Sequence, residues 1–203
     1  MKVACGFLEV QGFSAALAAM DAMCKAAHVR LLAVDANNTC DDSKAVVSVV
    51  VQVKIRGSIG DVRAALEAGR TMAEKTLPAE FVLTHFIASD NDELDALLSE
   101  GKLVGRKTAR KNGKQYAALG CADIRCFAHA VNALDTLLKA VDVEVLDVKK
   151  YLGGQTVTAV VGGEVSAVKA GLDIAGQSFS GCPNYKNATL ILNPHPEIMR
   201  FIG

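Results

Sequence analysis

Six cysteines and four histidines carry the most versatile chemistry in this 203-residue chain, and their spacing excludes most uses of it. No two cysteines form a C-x-x-C pair, and His28, His85, His129 and His195 stand apart from any partner by spacing. Metal-spacing motifs, nucleophile–base pairs and phosphate loops are absent, so the chain does not read as an enzyme. Cys5, Cys24 and Cys121 fall on apolar-patterned positions, where reduced thiols act as small hydrophobes. Cys40 is different. It sits in A-N-N-T-C-D-D-S-K (36–44), beside Asp41 and Asp42, in a polar stretch with the turn chemistry of Asn and Asp.

The elements that must position these residues occur twice. Gly6 to Val34 is repeated from Gly120 to Val148, with Gly6/Gly120, Phe13/Phe127, Asp21/Asp135, Lys25/Lys139, Leu32/Leu146 and Val34/Val148 among the identical pairs. K-I-R-G-S-I-G-D-V-R-A-A-L-E-A (54–68) pairs with V-V-G-G-E-V-S-A-V-K-A-G-L-D-I (160–174), and the first copy carries eight extra residues between its two blocks. A tandem duplication follows. The alternation of Val3–Val10 predicts a strand, and Phe13, Leu17, Met20, Cys24 and Ala27 mark one face of a helix. Strands are expected at 29–35, 45–55 and 81–87, and Ser58 with Asp61 resembles a capping box before a helix reaching about Lys75. The second copy predicts strands at 116–124, 143–149, 155–161 and 188–192, with helices at 127–140 and 164–178. Each copy is therefore β-α-β-β-α-β with a terminal helix, the α+β class. That order makes two tandem ferredoxin-like (split βαβ) domains, antiparallel sheets with helices on one face. The first domain is expected over 1–100 and the second over 115–203.

Net charge is zero, yet the 101–114 segment holds six of the 22 basic residues and no acid. It lacks the aromatics or motif of a nucleic-acid surface and reads as a solvated linker. No run approaches the roughly 18–20 apolar residues of a membrane span. Glu9 and Gln11 interrupt the first apolar stretch, so no signal peptide is expected and the chain reads as cytosolic.

Two signatures carry a family resemblance. Leu8-Glu9-Val10-Gln11-Gly12-Phe13 with Met20-Asp21-Ala22-Met23-Cys24-Lys25-Ala26-Ala27-His28-Val29 is similar to the first strand and helix of the bacterial microcompartment shell domain (BMC domain). Arg56-Gly57-Ser58-Ile59-Gly60-Asp61-Val62 resembles that family's later signature, which returns as Gly162-Gly163-Glu164-Val165-Ser166-Ala167-Val168. Both copies are covered in non-permuted order. The resemblance implies a tandem-domain shell protein: a homotrimer of pseudohexameric outline that tiles edge to edge with other shell proteins and passes small metabolites through a central pore. Tandem ferredoxin-like domains also occur in small metabolite-binding regulatory proteins, which is the alternative reading.

The resemblance also implies site residues. The family's tile-edge lysine matches Lys25 and Lys139, although neither copy keeps the arginine turn that supports that edge; the second has Asn193-Pro194-His195-Pro196. Its pore loop matches Asn37, Asn38, Thr39, Cys40, Asp41 and Asp42 in the first copy and Lys150, Tyr151, Leu152, Gly153 and Gly154 in the second. Some tandem relatives hold an iron–sulfur cluster on the threefold axis through a loop cysteine, and Cys40 matches that place. Such a cluster would let the pore carry electrons. Cys40 is followed by Asp-Asp, however, whose charge opposes an anionic cluster, so no cofactor is expected and an acidic pore rim is.

Overall fold

The computed structural model describes residues 3–39, 45–88, 98–105, 114–150, 152–153, 155–178 and 185–203. The first copy comprises β1 (Val3–Gln11), α1 (Phe13–Ala26), β2 (Arg30–Asn38), β3 (Val49–Ser58), α2 (Ile59–Ala73) and β4 (Val82–Ala88). A two-residue strand, β5 (Leu103–Val104), leads to the second copy. That copy comprises β6 (Ala118–Arg125), α3 (Phe127–Ala140), β7 (Val143–Lys149), β8 (Thr156–Gly163), α4 (Val165–Ser178), β9 (Tyr185–Leu192) and α5 (Pro196–Met199). The sheets run β4-β1-β3-β2-β5 and β7-β8-β6-β9, antiparallel throughout. Apart from β5 they share one strand order, the split βαβ arrangement that the repeat predicts.

Local chemistry explains the boundaries. The Ser58 hydroxyl accepts from the Asp61 N–H at 3.1 Å and opens α2. His195 Nδ1 accepts from the Glu197 N–H at 3.2 Å, with Pro196 in the first turn, so His195 is the cap of α5. Both copies break register at the same repeat position, between Leu31 and Ala33 and between Val145 and Asp147. The eight-residue surplus is shared. β2 and β3 have nine and ten residues against seven and eight in β7 and β8, so four extra residues lengthen the strands and four the loop.

Two expectations need correction. Asn37 and Asn38 are strand rather than loop, paired with Val50 and Val49, because the β-branched run opposite them extends the ladder. The 101–114 segment is not solvated throughout. Its Leu103 and Val104 pair with Val34 and Ala33, and the Lys102 N–H donates to the Asp35 carboxylate at 2.9 Å. Residues 106–113 lie outside the described residues.

The domains meet through α1. A Cβ on Gly120 would touch Val168 of α4, so Leu119, Cys121 and Asp123 point to the opposite face of the second sheet. All three are fully buried there, because the first domain covers that face. Leu119, Cys121, Val160 and Ile191 join Phe13, Leu17 and Met20 in one core that spans both domains. Pinned between its own sheet and the neighbouring one, α1 has to be Ala-rich; both of its faces bury. The helix side of the second sheet keeps a smaller core of Ala122, Ile124, Ala130, Ala133 and Val157.

Candidate functional site: hairpin loops and the domain joint

The turns after β2 and β7 meet within the chain. Gly153 has φ +136°, and the space where its Cβ would stand is filled by the Asn38 side-chain oxygen. Leu152 next to it is 5% exposed and belongs to the shared core. The Thr156 N–H donates to the Gly153 carbonyl at 3.1 Å, and the Thr39 N–H donates to the Ser48 carbonyl at 3.4 Å. Lys150 lies over the Phe127 ring at 5.4 Å from its centroid, tying the second turn to the start of α3. Asn37, Asn38, Thr39, Lys150, Leu152 and Gly153 are thus gathered at adjoining hairpins from the two copies. Cys40, Asp41, Asp42, Tyr151 and Gly154 lie outside the described residues.

Asp123 is a polar centre that the spacing arguments passed over. It is fully buried at the N-terminus of α1, whose cap residue Gly12 has no side chain to offer. The carboxylate takes the Ser14 N–H at 3.1 Å, the Ser14 hydroxyl at 2.5 Å and the Thr158 hydroxyl at 2.6 Å. The Phe13 N–H donates as well. A residue of the second domain therefore caps the first helix of the first domain. Burial pushes the Asp123 carboxyl above the ordinary carboxylate range, against the lowering pull of those donors. Close by, the Thr189 hydroxyl donates to the Ser14 carbonyl at 3.1 Å. The available signal was an Asp inside the apolar strand Cys121-Ala122-Asp123-Ile124, matched in the other copy by Glu9.

The two lysines occupy different surroundings. Lys25 pairs with Asp21 and donates to the Leu192 carbonyl at 2.6 Å, while Asp21 accepts the His195 N–H at 2.7 Å. Lys25 thus sits at the seam between the domains. Lys139 pairs with Asp135 at 2.7 Å, with 74% of its side chain exposed.

Cys5, Cys24 and Cys121 are buried, as their apolar positions predict, and Cys126 is exposed. Burial, with the Glu197 and Asp21 carboxylates adding to it, pushes the Cys24 thiol up to about 12. Burial also raises Cys121. Among the described residues no cluster of three or more His, Cys, Asp or Glu could hold a metal ion.

The BMC domain matches this chain twice, over residues 4–90 and 118–194. The chain belongs to the BMC-domain family. It is a tandem member, with two such domains in one polypeptide. The BMC-domain chain is 34% identical over 98 residues to carboxysome shell protein CcmK2 of Thermosynechococcus vestitus, a match covering 48% of this chain and 87% of that protein. It is 35% identical over 107 residues to carboxysome shell protein CsoS1 of Prochlorococcus marinus, covering 53% of this chain and 94% of the relative. Among solved structures, EutL from Clostridium perfringens aligns with a TM-score of 0.54 at 22% identity, over 83% of this chain and 77% of that one. The trimeric bacterial microcompartment shell protein PduB aligns with a TM-score of 0.54 at 19% identity, over 87% and 78%. These two establish likeness of fold. No helix among the described residues is long and apolar enough to cross a membrane.

Proposed function

We propose that this chain is a structural, non-enzymatic shell protein of a bacterial microcompartment, working in the cytoplasm as a pseudohexameric homotrimer. In this reading the trimer tiles edge to edge with other shell proteins, and small metabolites pass through a pore at its axis. The contact between Asn38 and Gly153 carries the proposal: one chain brings the hairpin turns of both domains to one place, which three chains would multiply around an axis. Relatives that match about half of the chain are carboxysome shell proteins, which supports the shell role. Asp41 and Asp42 would make the rim acidic and favour cations or neutral species over anions.

Light scattering of the purified protein tests the ring. A mass of three chains is expected; a stable monomer or dimer would sink the reading. An absorbance spectrum of the same anaerobically prepared fraction tests Cys40. A metal-free thiol gives no visible band, whereas iron–sulfur absorbance lost on Cys40→Ser would make the axis a redox site.

A further inference from the structure

The two copies differ in charge at one matching place, the end of each sheet that leads into its second helix. In the first copy β2 starts at Arg30, and strand register sets Arg30 directly opposite Arg56 of β3. Side chains directly opposite on neighbouring strands share a face, and two like charges so placed repel. The His28 carbonyl lies 3.0 Å from where a Cβ on Gly57 would stand. Gly57 thus lets the ends of β2 and β3 close up, and His28 joins the arginine pair in one cavity wall.

That cavity has a volume of about 310 Å³ and also takes in Ser58 and Asp61 at the start of α2. α2 is 15 residues long, and a Cβ on Gly60 would meet nothing within 4 Å, so its first turn is uncovered there. The positive end of the helix dipole adds to the cationic side chains. Asp61 is the one acid in the lining, and its carboxylate is engaged. It accepts the Ser58 hydroxyl at 2.5 Å and the His28 N–H at 3.4 Å. The lining therefore carries two guanidinium groups against one carboxylate.

The duplicate shows that the fold does not need these cations. Glu144 pairs with Gly162 in the second sheet, so His28, Arg30, Arg56 and Ser58 correspond to Asp142, Glu144, Gly162 and Glu164. Both arginines are reversed or removed. The second copy also supplies its own counter-charge. Lys114 Nζ lies 2.9 Å from the Glu144 carboxylate, and the Tyr116 hydroxyl donates to it at 2.9 Å. Arg30, by contrast, is exposed, and its guanidinium forms no ion pair or hydrogen bond among the described residues.

We propose that this cavity binds the phosphate group of a small phosphate ester, with Arg30 and Arg56 as its anchors. An oxyanion between the guanidinium groups turns their repulsion into charge-assisted hydrogen bonds, which arginine's planar fork suits. His28 and the N–H groups opening α2 supply further donors. The cavity is at the small end of the roughly 300–1,000 Å³ of ligand pockets, with room for an organic part beside the phosphate. The site is complete within one chain and does not depend on the ring. It lies at the opposite ends of β2 and β3 from their hairpin turn, away from the proposed pore.

Calorimetric titration of the intact protein in chloride buffer tests the site, with inorganic phosphate and glycerol 3-phosphate as probes. Saturable binding of glycerol 3-phosphate, one per chain and tighter than inorganic phosphate, is expected. Arg30→Gln, at an exposed position, should weaken it by at least about tenfold, the scale of one hydrogen bond to a charged group. Arg56→Lys keeps the charge, loses the fork and should weaken binding as well. Lys75→Gln removes one charge just past the far end of α2 and should leave binding unchanged. Circular dichroism and melting confirm that each variant is folded. Equal affinity for both probes, still lost in Arg30→Gln, would overturn the ester and leave an inorganic-anion site. No saturable binding by wild type, unchanged affinity in Arg30→Gln, or equal weakening by Lys75→Gln would overturn the site itself.

Discussion

Gly12 and Cys126 hold the same backbone conformation at the same repeat position, with φ of 86° and 75°, immediately before the first helix of their copies. In Gly12 that left-handed value costs nothing sterically, and the missing Cβ makes room for Asp123. In Cys126 the same value is imposed on a residue with a side chain.

Cys126→Gly should therefore stabilise the protein, by about 1 kcal/mol, the usual scale of such backbone strain. Thermal melting should rise by roughly 2–4 °C for a chain of this size. An unchanged or lower midpoint would show that the Cys126 side chain repays its strain through contacts of its own.

Asp123→Ala leaves the Phe13 and Ser14 N–H groups and two hydroxyls without their buried acceptor, at a cost of roughly 3 kcal/mol. Asp123→Asn keeps the shape and one acceptor oxygen and should cost less. The pH dependence has a definite sign. Burial raises the folded-state pKa above the ordinary aspartate value, so the native protein binds this proton more tightly than the unfolded chain does. The associated stability is fully present below about pH 3.8 and is lost as pH rises through the raised value. Denaturant melts of wild type and Asp123→Asn should show wild type's relative stability falling from pH 4 towards neutrality. A relative gain with pH would contradict the direction.

Thiol labelling at pH 8 should separate the cysteines by burial. Among the four described cysteines Cys126 should alkylate first, while Cys24, pushed up to about 12, and the fully buried Cys121 stay protected until the protein is unfolded. Peptide mapping by mass checks the order; early labelling of Cys121 would mean that the joint between the domains opens.

Lys139→Ala should leave folding and ring mass unchanged, because its pair with Asp135 is exposed and contributes little. Lys25→Ala should cost slightly more, through the lost bond to the Leu192 carbonyl. If these lysines line tile edges, the double variant still forms rings but assembles into sheets poorly under electron microscopy. Sheets as extensive as wild type's would rule out the edge role.

Much of this protein is determined by its sequence alone. The repeat of Gly6–Val34 and of 54–68 fixes two copies, and hydrophobic period and turn residues place the helices and strands within a few positions. These are local or self-similar signals, carried by neighbours along the chain. The relation between the copies was not legible, since it depends on which sheet face is left uncovered. Tertiary structure decided that α1 lies on the second sheet, that Asp123 caps a helix 109 residues away and that Asn38 fills the space at Gly153. It also decided that Lys25 and Lys139, identical in motif, differ in setting. Position in the repeat assigns each residue its element; burial, and hence charge and capping, comes only from what the other domain covers.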